Sequence, residues 1–499
     1  MRFPAPARPP PPRRPALSED ETIVALSSGA LPAGIAVLRV SGPAARAALA
    51  ALGGSVPEPR RAALRSFRDG DGAIIDRGLA LFFPGPGSAT GEDLGELHLH
   101  GGPAVAAAAL RALTALPGVR LAEAGEFTRR AFANGRIDLT EAEGLADLLV
   151  AETEGQRRQA VAQAGGALRT LYESWMGRLV RLRALLEAEF DFSDEGDVAD
   201  DVAADVAVRV ADLASEIRAH LNSARRGEIL RDGFNVVIAG PPNAGKSSLL
   251  NALAERDVAI VSAVPGTTRD VIEVRLDLGG VPVRLADTAG LRETGDAVEA
   301  IGIERARQAM AAADLVLLLA DGSPEAAGLM ERTPVDQAPA SEEPSVPWPS
   351  PGRAALSFVT QTPPSGMGDL TGQSGPPVLR IRTKIDAAAS IMKTDISPAY
   401  DLAVSSRTGQ GLDTLIARLA SHAAEAAGDP SAVVPARLRQ REILADALAI
   451  LDDPALDRLP PELVAETLRR ATDRLGALTG RVGVEDLLDV IFSEFCIGK

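Results

Sequence analysis

Four short motifs follow one another in the middle of this chain, and each carries groups suited to a nucleoside triphosphate. Gly240-Pro-Pro-Asn-Ala-Gly245-Lys246-Ser247 comes first, then Gly266-Thr-Thr-Arg-Asp270, Asp287-Thr-Ala-Gly290 and Thr383-Lys-Ile-Asp386. The first joins an apolar run, Phe234 to Ala239, to a helical one, Lys246 to Leu253, so backbone N–H groups and the positive end of a helix converge on phosphate oxygens. Asn243, Ala244, Gly245 and Ser248 belong to that loop, whose glycines allow close approach, and Lys246 is expected to reach the β- and γ-phosphates. The Ser247 hydroxyl is expected on Mg²⁺, with Thr268 as a second ligand and Asp287, at the end of the strand Val281 to Ala286, holding the water shell of the metal. Thr288, Ala289 and Gly290 follow, and the Gly290 N–H is suited to report on the γ-phosphate.

Base choice is read from Thr383, Lys384, Ile385 and Asp386, after the strand Val378 to Arg382. A carboxylate at Asp386 accepts from the N1–H and N2–H₂ edge of guanine, which adenine lacks, and this selects GTP. The usual first residue of this motif is Asn, so Thr383 is expected to lack one amide contact and to weaken affinity. A second base loop is expected at Ser405, Ser406 and Arg407, following the strand Asp401 to Val404.

The 499 residues allow three domains, an α/β and all-α combination. Residues 1–18 form a Pro/Arg-rich extension without the apolar core of a secretory signal, expected to be disordered. Residues 19–136 read as an N-terminal α/β domain, in which β-rich runs (Gly34 to Val40, Gly78 to Phe82, Leu94 to Leu99) alternate with alanine-rich helical runs. Residues 137–231 turn helical, with apolar positions every three or four residues, as at Leu179, Leu182, Leu185 and Leu186. A Ras-like GTPase domain is expected over 232–425, interrupted at 322–377 by a disordered Pro/Ser/Gly-rich insertion. Residues 426–499 are helical again, and pairing with 137–231 gives one helical domain with the GTPase inserted into it.

A formal net charge of −16 makes the chain a poor general binder of polyanions, so RNA contact is expected to be local or helped by a partner. The acidic run Glu187 to Asp205 reads most simply as a solvated face. One cysteine, Cys496, excludes an internal disulfide and fits a reducing, cytoplasmic location, and no segment has the apolar length of a membrane span. His98 and His100 alternate along a strand without an evident third metal ligand, which favours packing roles.

Taken with Leu38-Arg-Val-Ser-Gly42, Thr90-Gly-Glu-Asp93 leading to Glu96, His100-Gly-Gly-Pro103, Gly125-Glu-Phe127 and the terminal Cys496-Ile-Gly-Lys499, the motifs make the chain resemble the MnmE (TrmE) family. These are tRNA-modification GTPases of the TrmE-Era-EngA-YihA-Septin class, and the resemblance covers nearly the whole chain. Thr383, the long insertion and the proline-rich start depart from the family pattern. The resemblance implies a homodimer joined through a folate-binding N-terminal domain, working with the flavoprotein MnmG, which alone carries FAD, in a heterotetramer or larger complex. The implied product is 5-carboxymethylaminomethyl or aminomethyl uridine at the tRNA wobble position, with the carbon supplied by 5-formyl- or 5,10-methylene-tetrahydrofolate.

Family folate contacts fall on Arg39, Glu96, Arg136 and Lys499, although without the family each reads as an ordinary surface ion pair. The resemblance also implies a K⁺ ion in place of an arginine finger, held by Asn243 with Ser262, Val264 and Thr267. The loop Ser262, Ala263, Val264, Pro265, Gly266, Thr267 and Thr268 would then touch both nucleotide and ions. Glu299 matches the family's water-orienting glutamate, or equally a helix-start carboxylate on a dipole. Cys496 matches a residue required for modification, while a lone cysteine is by itself more often a small apolar residue. A regulatory GTPase switch in ribosome assembly, without folate binding, is the competing reading.

Overall fold

Strict alternation of apolar and polar residues builds the N-terminal sheet. In β2 (Ala33–Ser41) Ala36, Leu38 and Val40 are buried, and in β5 (Leu94–Gly101) Leu97 and Leu99 are buried. Both sets face one core, so the residues between them are held on the opposite side of the sheet. The computed structural model describes residues 21–191, 201–260, 273–287, 308–321, 375–387 and 400–482, with 488, 491, 492, 495 and 498 beyond them. The expected disordered extension at 1–18 and all but the end of the 322–377 insertion lie outside the described residues, as does the middle of the acidic run.

The described chain packs as two compact units. One comprises residues 1–150, 159–222 and 438–499, the other 151–158 and 223–437.

In the first unit, β1 (Thr22–Leu26), β2, β3 (Ala63–Arg68), β4 (Ile74–Phe83), β5 and β6 (Val119–Leu121) form a sheet of order β3-β4-β5-β2-β1-β6. Only β1 and β6 are parallel in this sheet. Helices Ala45–Gly53 and Pro103–Thr114 cover one face through Ala45, Ala48, Leu49, Ala109 and Leu113. With so few aromatics in the chain, alanine lets these helices lie close to the strands.

A separate helical core of the same unit gathers Ala167–Asp191, Asp201–Asn222, Leu438–Leu451 and Pro461–Thr479. The expected pairing of two sequence-distant helical segments is therefore the observed one. A buried ion pair joins them, in which Glu143 of helix Leu139–Val150 accepts from Arg439 Nε and Nη2 at 3.0 Å each and from Gln440 Nε2 at 2.8 Å.

The second unit holds a sheet of order β12-β11-β10-β7-β9-β8, made of β7 (Phe234–Ala239), β8 (Glu273–Leu278), β9 (Val281–Asp287), β10 (Leu315–Ala320), β11 (Val378–Arg382) and β12 (Leu402–Ala403). All neighbours are parallel except β8 and β9. Its central strands are buried on both faces, as parallel strands under helices must be. Val236, Ile238, Leu317 and Leu319 enter one core with Leu249, Leu253, Leu415 and Leu419, and Val237, Ala239, Val316 and Leu318 enter the other with Tyr400.

The unit boundaries fall at 222/223 and 437/438, not at the expected 231/232 and 425/426. Helix Ala224–Asp232 buries Ile229 and Leu230 in the sheet core of the GTPase unit, with its Gly227 against Pro435 and its Arg226 side chain against Gly428. Residues 151–158 join the same unit, where the Gly155 N–H donates to Gly280 O at 3.0 Å and Gln156 Nε2 to Arg231 O at 2.9 Å.

Candidate nucleotide site and N-terminal pocket

The strand order reverses direction at β7, which has β9 on one side and β10 on the other. Parallel sheets bind ligands at the carboxyl ends of strands beside such a switch. The loop Gly240 to Gly245 leaves β7 there. Gly240 has φ +147, and a Cβ on it would stand 2.3 Å from Leu319 O, so no other residue fits without movement. Gly245, at φ +92, starts helix Lys246–Ala254. Asn243 is exposed and itself left-handed, at φ +64.

Lys246 is buried, and its Nζ donates to Gly240 O and Pro241 O at 3.0 Å each. Ser247 Oγ donates to Asp287 Oδ2 at 3.2 Å, with Asp287 only 2% exposed at the end of β9. A hydroxyl and a carboxylate brought together next to a phosphate loop form the hard-oxygen set that Mg²⁺ prefers. Ser248 is exposed one residue further along the helix.

At the base side, Asp386 Oδ1 accepts from Ser405 Oγ and its Oδ2 from Arg407 Nε, both at 2.7 Å. The Ser405 hydroxyl holds the Asp386 carboxyl below its ordinary range, and Arg407 adds to the effect. The carboxylate therefore stays ionised and already receives two donors, the count that the guanine edge supplies. Ser405 is fully buried, Ser406 partly so and Arg407 exposed. Lys384, left-handed at φ +56, turns its ammonium to Asp321 at 3.4 Å, and Ile385 is partly buried.

Thr383 makes a contact that sequence reading missed: its hydroxyl donates to Ala244 O at 2.7 Å and lies 3.2 Å from Ala320 O, tying base loop to phosphate loop. The approach to Ala244 is set by tertiary packing, which the sequence does not carry.

A second candidate cluster lies on the face of the N-terminal sheet opposite helices Ala45–Gly53 and Pro103–Thr114. Arg39 and Glu96 stand directly opposite in the β2–β5 register and pair at 3.0 Å, and His98 Nε2 reaches the other Glu96 oxygen at 3.1 Å. The Arg39 guanidinium lies 5.9 Å from the Phe127 ring centre. Arg136 is exposed and packs beside Gly91. His100 instead bonds Asp76 through Nδ1 at 2.9 Å. Groups of three or more metal-binding side chains are absent among the described residues.

The same domain holds a buried network that sequence reading missed. Arg130, 3% exposed, pairs with Glu126 and Glu92 at 3.1 Å each, and Arg120 pairs with Glu126. Burial pushes the Glu126 carboxyl up, but Arg120, the Glu123 amide and Arg130 together outweigh it and hold the group low. The i,i+4 spacing of Glu126 and Arg130 was the available signal.

The C-terminal segment closes on the same domain. A Cβ on Gly125, at φ +70, would stand 2.1 Å from Phe492 O, and one on Gly498, at φ +98, 2.1 Å from Leu26 O. Ser27 Oγ donates to Gly498 O at 2.7 Å, and Phe492 and Phe495 are buried with Leu139 and Ala142. Cys496 and Lys499 lie outside the described residues, as do Ser262, Ala263, Val264, Pro265, Gly266, Thr267, Thr268, Thr288, Ala289, Gly290 and Glu299.

Comparison with known proteins agrees with this arrangement. Residues 22–136 match the family model of the GTP-binding protein TrmE N-terminus, and residues 139–496 match that of the MnmE helical domain. The tRNA modification GTPase MnmE of Brucella anthropi is 49% identical over 484 residues, covering 97% of this chain and 99% of that protein. The protein of the same name from Mesorhizobium japonicum is 48% identical, covering 96% of this chain and 99% of its own length. Among solved structures, the G domain of the T. maritima FeoB iron transporter aligns at 24% identity over 39% of this chain and 98% of its own. Its TM-score of 0.23 carries no argument about function. With both family models matched in order and relatives aligned end to end, this chain belongs to the MnmE (TrmE) family of GTPases.

Proposed function

We propose that this chain is a K⁺-activated GTP hydrolase that acts with the flavoprotein MnmG on tRNA. The pair uses a tetrahydrofolate one-carbon unit to make 5-carboxymethylaminomethyl or aminomethyl uridine at the wobble position. The observation that carries the reading is the convergence of Lys246, the Ser247–Asp287 pair and the Asp386–Ser405 pair around the end of β7.

Each group has a task suited to its surroundings. Lys246, whose ammonium rests on two loop carbonyls, exchanges them for β- and γ-phosphate oxygens. Ser247 and Asp287 would hold Mg²⁺, with Thr268 added; that ion supplies positive charge to the phosphates when bound. Gly290 donates its N–H to the γ-phosphate, and Glu299 orients the attacking water. The exposed amide of Asn243 suits a K⁺ ion shared with Ser262, Val264 and Thr267. Asp386 takes the guanine N1–H and N2–H₂ in place of its present donors.

On the N-terminal side, the paired Arg39 and Glu96 with His98 provide a cation, a carboxylate and an imidazole beside Phe127, a set matched to a pterin with an acidic tail. Arg136 and Lys499 complete the cations of that set. The seats of Phe495 and Gly498 in this domain support a role for the neighbouring Cys496 thiol in modification.

Self-association is supported by exposed apolar side chains on the sheet, with Leu64 opposite Leu79. Leu64 is 53% exposed and Leu79 39%. The net charge of −16 favours RNA affinity supplied mainly by MnmG, and the single cysteine suits a cytoplasmic setting. None of the described helices is long and apolar enough to cross a membrane.

The test is GTP turnover in KCl and NaCl at equal ionic strength, beside binding of 5-formyl-tetrahydrofolate to wild type and Glu96→Gln. Faster hydrolysis in K⁺ and folate binding lost in the variant are expected. Equal rates remove the K⁺ ion, and a wild type blind to folate removes the one-carbon role.

A further inference from the structure

We propose that Thr383 is a positioning residue for GTP hydrolysis, whose hydroxyl fixes the phosphate loop and leaves base selection to Asp386. Thr383 follows β11 and is 2% exposed. Its backbone N–H donates to Ala320 O at 2.7 Å, which locks it to the end of β10. From that anchored position the hydroxyl reaches Ala244 O at 2.7 Å, with Ala320 O at 3.2 Å as the weaker, shared acceptor.

The Ala244–Gly245 peptide passes the effect to the nucleotide. In a trans peptide the C=O and N–H point in opposite directions. Holding the Ala244 carbonyl on Thr383 therefore turns the Gly245 N–H away from Thr383, presenting it to a phosphate oxygen. Ala244 is 1% exposed, so water does not replace the hydroxyl as donor to its carbonyl. A Cβ added to Gly245 would lie 3.8 Å from both Cβ and Oγ1 of Thr383, which shows how closely the loop backbone rests on this side chain.

Proton counting assigns the division of labour. A threonine hydroxyl has one proton, and here both of its acceptors are main-chain carbonyls. An asparagine amide has two N–H groups and can serve the loop and a base together; Thr383 has nothing left to donate to a purine. Discrimination then depends on Asp386, whose carboxylate Ser405 and Arg407 hold ionised until the base arrives.

The test uses the full chain with Thr383→Val, which keeps the shape and removes the proton, and Thr383→Ser, which keeps the proton. Calorimetric affinity and steady-state hydrolysis are measured with GTP and with ITP, which lacks the 2-amino group. Thr383→Val is expected to weaken GTP and ITP alike, on the order of tenfold, leaving the GTP/ITP ratio at the wild-type value. Thr383→Ser is expected to restore both affinities to within about twofold. Asp386→Ala should do the reverse and collapse the GTP/ITP ratio towards one. If Thr383→Val does not fold, Thr383→Ala removes the same proton without a second methyl group and carries the same expectation. Wild-type affinity in the proton-less variant, a loss that serine does not restore, or a changed GTP/ITP ratio on losing the hydroxyl would each overturn the proposal.

Discussion

Replacing Glu143 by alanine removes the carboxylate that joins helices nearly 300 positions apart in the chain, as the contact separations of 296 and 297 show. Glu143 is 1% exposed and the Arg439 side chain 13%, so the guanidinium loses its counter-charge with little water to replace it. Breaking a buried pair from one side costs about 3–5 kcal/mol. Arg439 keeps two further contacts, to Ala477 O at 2.9 Å and Leu478 O at 3.1 Å, which points to the lower end, about 3 kcal/mol. With an m-value of about 3 kcal/mol/M, the urea midpoint of the first unit falls by about 1 M. Fluorescence of Trp175, buried in that helical core, and far-UV circular dichroism follow the transition. Arg469→Ala is the control, because its pairs with Glu466 and Asp473 are about half exposed and screened by solvent. Joint replacement, Glu143→Leu with Arg439→Met, should recover most of the loss, since no unpaired charge is left buried. A Glu143→Ala midpoint no lower than that of Arg469→Ala would refute the reasoning.

Four further outcomes follow from the structure. Gly240→Ala combines a left-handed backbone with a clash at Leu319 O, together about 3 kcal/mol, so calorimetry should find GTP affinity down about a hundredfold. Gly29→Ala, where the new methyl meets nothing within 4 Å, should be silent. Gly498→Ala should unseat the tail from Leu26 and speed alkylation of Cys496, the only thiol, without changing GTP turnover; an unchanged labelling rate would count against the docked tail. His220 is 8% exposed between Tyr172 and Trp175, and burial pulls its pKa from 6.5 down to about 4. Its folded form resists protonation, so stability is intact above pH 6.5 and falls by roughly 3 kcal/mol as the pH drops towards 4. His220→Phe should flatten that part of the stability–pH curve, and an unaltered slope would remove His220 as its source.

What was legible in the sequence was what depends on local order. The phosphate loop, the Asp287 strand end and the Asp386 loop are contiguous motifs, and the flanking strands show their apolar runs directly. The split helical domain could be read because its two segments share a period and lie on either side of the GTPase motifs. Less legible was the core to which a helix belongs. Ile229 and Leu230 have ordinary helical spacing, and only tertiary packing shows that they cover the GTPase sheet. Cross-strand partners were hidden as well, since Arg39 meets Glu96 across a sequence separation of 57. The role of Thr383 depended on a carbonyl 139 positions away.

The central claim is that GTP hydrolysis at the Lys246 site serves uridine modification involving the C-terminal thiol. Mass spectrometry of tRNA nucleosides, from cells whose only copy is wild type, Cys496→Ser or Glu299→Ala, tests it most directly. The account expects the wobble-uridine modification to disappear in both variants while the proteins remain at wild-type levels. Unchanged nucleosides in both would contradict it and leave a GTPase switch without one-carbon chemistry.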